Sequence, residues 1–147
     1  MHRRLIIFTV LLLAAAGLGL AAKELSLQEL EAKADAAPLE DRPQRYVEIA
    51  QAQLTAAIEG YKAGKAEQGR TAVDDVVLYA GKARDASIQS GKKLKNTEIS
   101  VRKMAEKLRD LKHTLNFEDQ APVQTAADQL ESMRSELLSR MFSKGKR

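Results

Sequence analysis

The sequence predicts an all-α chain, and three observations carry that reading. An apolar seam from Ala66 to Leu115 steps by three and four residues alternately without a slip. Prolines, carboxylates and glycines stand where helices start and stop. The β-branched clusters, such as Val76-Val77, lie inside helical periodicity rather than alternating along a strand. Cysteine is absent from the 147 residues. That removes disulfides, thiolate metal sites and a lipidated cysteine, and leaves packing alone to hold the fold.

Taken in order, the first element is an address. Met1-His2-Arg3-Arg4 is cationic, Leu5 to Leu20 is apolar apart from Thr9, Gly17 and Gly19, and Ala21-Ala22 close the run. These are the parts of a secretory signal. The run also lies near the lower limit for spanning a membrane, roughly 17–25 residues, so an uncleaved N-terminal anchor is the alternative for residues 1–22. Either way the arginines stay inside and the rest of the chain is expected outside the cytoplasm.

Residues 23–142 read as one helical domain. Ser26-Leu27-Gln28-Glu29 has the form of a capping box, with Leu25 and Leu30 placed as a hydrophobic staple. Pro38 ends the helix it starts. Asp41 is the expected cap of the next helix, with Pro43 in its first turn. There Tyr46, Ala50, Leu54, Ala57, Ile58 and Tyr61 share one face, and Gly64 is the expected left-handed stop.

The long seam follows: Ala66, Gly69, Val73, Val76, Ala80, Ala83, Ser87, Ser90, Leu94, Thr97, Val101, Met104, Leu108, Leu111 and Leu115. A period of 3.5 suits a helix lying against partner helices. Its unbroken phase predicts one extended central helix of about 75 Å, with antiparallel hairpins folding back along it. The polar centre at Ser87, Ser90 and Thr97, with Gly91 and Asn96 as bending points, leaves an up-down four-helix bundle as the alternative. The last helix is expected after Asp119, with Pro122 in its first turn and Val123, Ala126, Leu130, Met133, Leu137 and Met141 facing inward. Residues 143–147 read as a basic flexible tail.

Charge is uneven along the chain. Formal net charge is +4, but residues 82–112 hold ten basic and four acidic side chains, between an acidic section and a neutral one. The candidate interaction residues are therefore Lys92, Lys93, Lys95, Arg102, Lys103, Lys107, Arg109 and Lys112. They suit contact with an anionic partner, an envelope surface included, or a solvated face paired with Glu98, Glu106 and Asp110. Nucleic acid is disfavoured, because no tyrosine or phenylalanine lies between Tyr79 and Phe117 to stack on bases.

Catalytic chemistry is not legible. The pairs Glu40-Asp41, Asp74-Asp75 and Glu118-Asp119 diverge by about 100° on a helix and read as caps or solvated charge. His113, three residues after Asp110, lacks the helical His pairing that holds zinc. Tyr46, Tyr61 and Tyr79 read as interface residues with their hydroxyls at the rim, and Met104, Met133 and Met141 as seam fillers. No enzyme activity, cofactor, metal or small-molecule substrate is expected.

One local resemblance is present. Tyr61-Lys62-Ala63-Gly64, followed by Gly69 and Val73, resembles the turn of a tetratricopeptide helical hairpin. It covers under a quarter of the chain, recurs at no 34-residue period, and carries glycine at Gly69 and valine at Val76 where that family usually has alanine. It implies a hairpin there and no binding residues. The function expected is that of an exported helical protein–protein interaction or scaffold protein, working through the seam on a partner or a second copy. The alternative is a peripheral envelope factor that uses the cationic belt.

Overall fold

A computed structural model describes residues 27–143, and these are all-helical, with no strand among them. The chain is helical at 27–36 (α1), then in α2 (Arg42–Lys62), α3 (Ala66–Ser90), α4 (Leu94–His113) and α5 (Phe117–Ser143). The expected signal or anchor at 1–22, the Ser26 cap with its Leu25 staple, and residues 144–147 of the tail lie outside the described residues.

Local chemistry sets the boundaries. Pro38 ends α1 as expected, and its carbonyl accepts the N–H groups of both Asp41 and Arg42. Asp41 stands at the N-cap of α2, but its side chain makes no cap hydrogen bond. Instead the Arg42 Nε–H donates to the Ala37 carbonyl at 2.8 Å and ties the turn together. After Lys62 the chain closes a Schellman motif. Gly64 takes φ +72°, its N–H reaches the Tyr61 carbonyl, and the Lys65 N–H reaches that of Gly60. The hairpin implied by the resemblance is therefore present.

Antiparallel α2 and α3 pack through small residues. A Cβ added at Gly60 would lie 3.0 Å from the backbone nitrogen of Gly69, and one at Gly69 would lie 2.7 Å from the Tyr61 ring. Glycine at both positions lets the helices cross closely. Above that crossing Ala50, Leu54 and Ala57 share the core with Val73, Val76, Ala80 and Ala83.

The single central helix does not form. Its helix stops at Ser90, and Gly91, at φ +68°, accepts the left-handed turn while its N–H bonds the Ser87 carbonyl. Lys93 is left-handed too, at φ 60°. The direct evidence of reversal is one contact: Ser87 Oγ and Thr97 Oγ1 lie 2.7 Å apart, whereas ten residues of continuous helix would separate them by about 15 Å. Both side chains are buried. The polar centre of the seam is thus the joint, with each hydroxyl satisfying the other.

The seam faces inward on both sides of this joint. Twelve of its positions are buried, and Ala66, Ser90 and Leu115 are half-buried. Within the described chain the seam is used to pack the helices on one another. Heptad phase survives the turn because α3 and α4 each bury one stripe against the same core.

The described helices form two stacked hairpins, α2–α3 and α4–α5. Arg70 meets Asp119 near one end and Arg84 meets Glu136 near the other, so α3 and α5 run parallel. It follows that α2 and α4 also run parallel along the neighbouring edge. No Cα of α2 comes within 8 Å of one in α5. A closed four-helix bundle, the alternative expected from the sequence, would bring those two helices together. The start of α5 also differs from expectation. It begins at Phe117, the Asp119 N–H bonds the Asn116 carbonyl, and Pro122 lies inside the helix.

Candidate interaction surface

The eight belt residues divide by the neighbour each one faces. Lys92, Lys93 and Lys95 are exposed at the α3–α4 turn. Arg102 lies between two carboxylates of its own helix, 3.9 Å from Glu98 and 3.5 Å from Glu106. Arg109 pairs across the hairpin with Glu131 at 3.3 Å, and Lys112 donates to Gln124 Oε1 at 2.8 Å. Lys103 and Lys107 are exposed one turn apart on α4, and Lys107 faces α2. The belt that is continuous in sequence is therefore three separate features in space.

The paired group has a buried hub. Glu98 is only 8 % exposed and accepts the Arg134 Nε–H at 2.8 Å, while Arg134 also binds Glu131 at 2.8 Å. These bonds hold the Glu131 carboxyl below its usual range, Arg134 first and Arg109 after it. A buried carboxylate without its guanidinium is costly, so this network locks α4 to α5.

A second cluster fastens α1. Glu31 accepts the Tyr79 hydroxyl at 2.9 Å and the Lys82 ammonium at 2.9 Å, and Tyr46 donates to Asp35 at 2.5 Å. Lys82 Nζ lies 5.6 Å from the centroid of each of the Tyr46 and Tyr79 rings. Burial and then the hydrogen bond to Asp35 push the Tyr46 hydroxyl up to about 12. Tyr79 is raised for the same reasons, with Glu31 as its partner. The hydrogen bond from Lys82, followed by that from Tyr79, lowers the Glu31 carboxyl. These two tyrosines sit at the interface with their hydroxyls at its edge. Tyr61 differs: its hydroxyl is buried without a hydrogen-bond partner, and burial raises it.

The remaining candidates bring little together. His113 is exposed in the last turn of α4, with no bond to Asp110 among the described residues. No three histidine or acidic side chains among the described residues gather closely enough to hold a metal ion. No described helix is long and apolar enough to cross a membrane. Met104 and Met133 are buried and Met141 is half-buried against the core.

One surface feature was not legible in the sequence. Ile58, Lys62, Lys107, Asp110, Leu111 and Thr114 line a groove of about 330 Å³ between α2 and α4. Its walls come from segments some fifty residues apart. The only sequence signal was Ile58 at the edge of the α2 stripe.

No protein-family model, curated protein or solved structure matches this chain. The likeness of the α2–α3 turn to tetratricopeptide hairpins therefore stands as a local one.

Proposed function

We propose that this chain is an exported helical interaction protein, rigid in its two hairpins, that holds a protein partner in the cell envelope through the exposed lysines of α4 and of the turn before it. One observation carries the reading. Lys92, Lys93, Lys95, Lys103 and Lys107 are exposed and their ammonium groups bond to no described side chain, while the neighbouring Arg102, Arg109 and Lys112 all have partners within the fold. A lysine whose only role is solubility commonly sits among carboxylates of similar number. Here Glu98 and Glu106 of α4 are drawn toward Arg102 and Arg134, and the lysines are left to an outside anion.

In-cell photo-crosslinking tests this, with the crosslinking residue placed in turn at positions 92, 103 and 107. A discrete protein adduct at one or more positions supports the reading, and none at all three refutes it. A second reading, peripheral attachment to anionic lipid, draws on the three lysines clustered at the α3–α4 turn. It predicts release from membranes in high salt, because exposed charges are screened over about 3 Å at 1 M.

A further inference from the structure

We infer that the groove between α2 and α4 seats one apolar side chain from an acidic segment of a partner protein. The inference rests on the interaction reading above and names its site and the chemistry of the partner. Three features of the groove support it.

The first is its floor. Leu111 is 6 % exposed and Ile58 is half-buried, so an apolar surface is presented at the bottom of a concave valley. A volume of about 330 Å³ falls at the small end of the range for ligand sites. It suits a single large side chain better than an extended small molecule.

The second is its rim. Lys62 and Lys107 flank the floor, and Lys103 stands one turn before Lys107. None of the three pairs with a described carboxylate, and Asp110, which also lines the groove, is likewise unpaired. The contrast lies within a single helix. On the α5 side of α4, Glu98, Arg102 and Arg109 are bonded, whereas on the α2 side the lysines are bare. Three cations against one carboxylate favour an acidic visitor.

The third is position. The groove lies at the C-terminal ends of α2 and α4, where both helix dipoles add partial negative charge. Lys62, the last residue of α2, offsets that charge locally. Lys107 lies nearly two turns before the end of α4, where the dipole effect has faded and its ammonium is available. It also lies about 20 Å along the helix from Leu94 and the turn lysines. A partner at this groove and a lipid surface at the turn are therefore separable.

The test is a titration of the full mature chain, with methyl-labelled isoleucine and leucine, by a short peptide of glutamate and serine around one central leucine. The inference expects the Ile58 and Leu111 methyl signals to move together. Affinity should fall ~10-fold in Lys62→Glu/Lys107→Glu, from the loss of two exposed ion pairs and the repulsion that replaces them. Replacing the leucine of the peptide by alanine should weaken binding by a similar factor. Lys33→Glu/Arg140→Glu makes the same change in net charge away from the groove and should leave affinity within twofold.

The inference is overturned if no methyl moves at millimolar peptide, if only signals near Leu94 move, or if binding ignores the leucine. An equal loss in the control variant overturns it too, because the attraction would then be diffuse. So does tighter binding of the wild-type chain to phosphatidylglycerol vesicles than to the peptide when that binding is lost in Lys62→Glu/Lys107→Glu. A protein adduct at position 92 without one at 107 overturns the groove and leaves the interaction reading standing. Absence of adducts throughout removes that reading itself.

Discussion

Replacing Gly91 by alanine distinguishes a joint at 91–93 from a continuous helix by the sign of the effect. Gly91 has φ +68°, where an L residue with a Cβ meets the following carbonyl at a cost of roughly 1–2 kcal/mol. Alanine also restricts the unfolded chain, which returns about 0.4–1 kcal/mol. The net expectation for Gly91→Ala is a loss of about 1 kcal/mol. In an unbroken helix the same change would remove a poor helix former and raise stability by about 1 kcal/mol. The two structures thus differ by about 2 kcal/mol in what they expect, well outside the error of a urea titration. Lys93→Gly runs the opposite way. Lys93 is left-handed at φ 60°, so glycine should relieve strain and raise stability by about 0.5–1 kcal/mol, whereas a continuous helix would be weakened by a similar amount. Urea unfolding followed by helical circular dichroism at 222 nm measures both variants, with an unchanged slope required for the comparison. Stabilisation by Gly91→Ala together with destabilisation by Lys93→Gly would refute the joint and restore the single long helix.

Further outcomes follow from the packing and the charges. Gly69→Ala places a Cβ 2.7 Å from the Tyr61 ring and should cost about 1–3 kcal/mol as overpacking; Tyr61→Ala in the same chain should recover part of the loss in a double-mutant cycle. Ser87→Ala strands the buried Thr97 hydroxyl and should cost about 1–3 kcal/mol, while Ser87→Ala/Thr97→Val should be milder than the single change, since no polar group is left unpaired. Arg134→Met leaves Glu98 buried beside only the more distant Arg102 and should lower the melting temperature, with Glu98→Gln in the same chain restoring much of it; thermal unfolding reads both. Docking of α1 should depend on pH through Glu31, whose carboxyl is lowered from 4.5 by Lys82 and Tyr79. A depressed carboxylate contributes stability that is fully present above its unfolded value and is lost as pH falls through the lower folded one, so hydrogen exchange at 27–36 should accelerate in acid, and Glu31→Gln should flatten that dependence.

What the sequence revealed of this fold divides along a physical line between local and non-local chemistry. Gly64 as a helix stop, Pro38 as a break and the inward stripes of α2 and α5 were legible because each rests on backbone freedom or on spacing within one helix. The seam showed which side of Ala66–Leu115 is buried but not whether it is one helix. Periodicity reports a face, and two antiparallel helices can share a face across a three-residue turn without losing phase. The decisive signals were already present as exceptions, in Ser87 and Thr97 at core positions and Gly91 between them. Two polar residues in a seam weaken a coiled coil, yet across a joint they satisfy one another. Asp41 holds the expected N-cap position without a side-chain cap bond, whereas Asp119 falls inside α5 rather than before it. The Asp119 carboxylate is instead engaged by a tertiary partner, Arg70 on α3. The cationic belt illustrates the same limit on the functional side. Its eight residues look alike in sequence, but Glu131 and Gln124 of α5, with Glu98 and Glu106 of their own helix, decide which are paired and which stay free. Sequence separation between the groove walls is about fifty residues, beyond any periodic signal, so the site had to be found from the stacking of hairpins. If function lies in that groove, selection on Ile58, Lys62 and Lys107 is selection on how two hairpins meet, and changes at the Ser87–Thr97 joint should alter partner affinity without touching the partner.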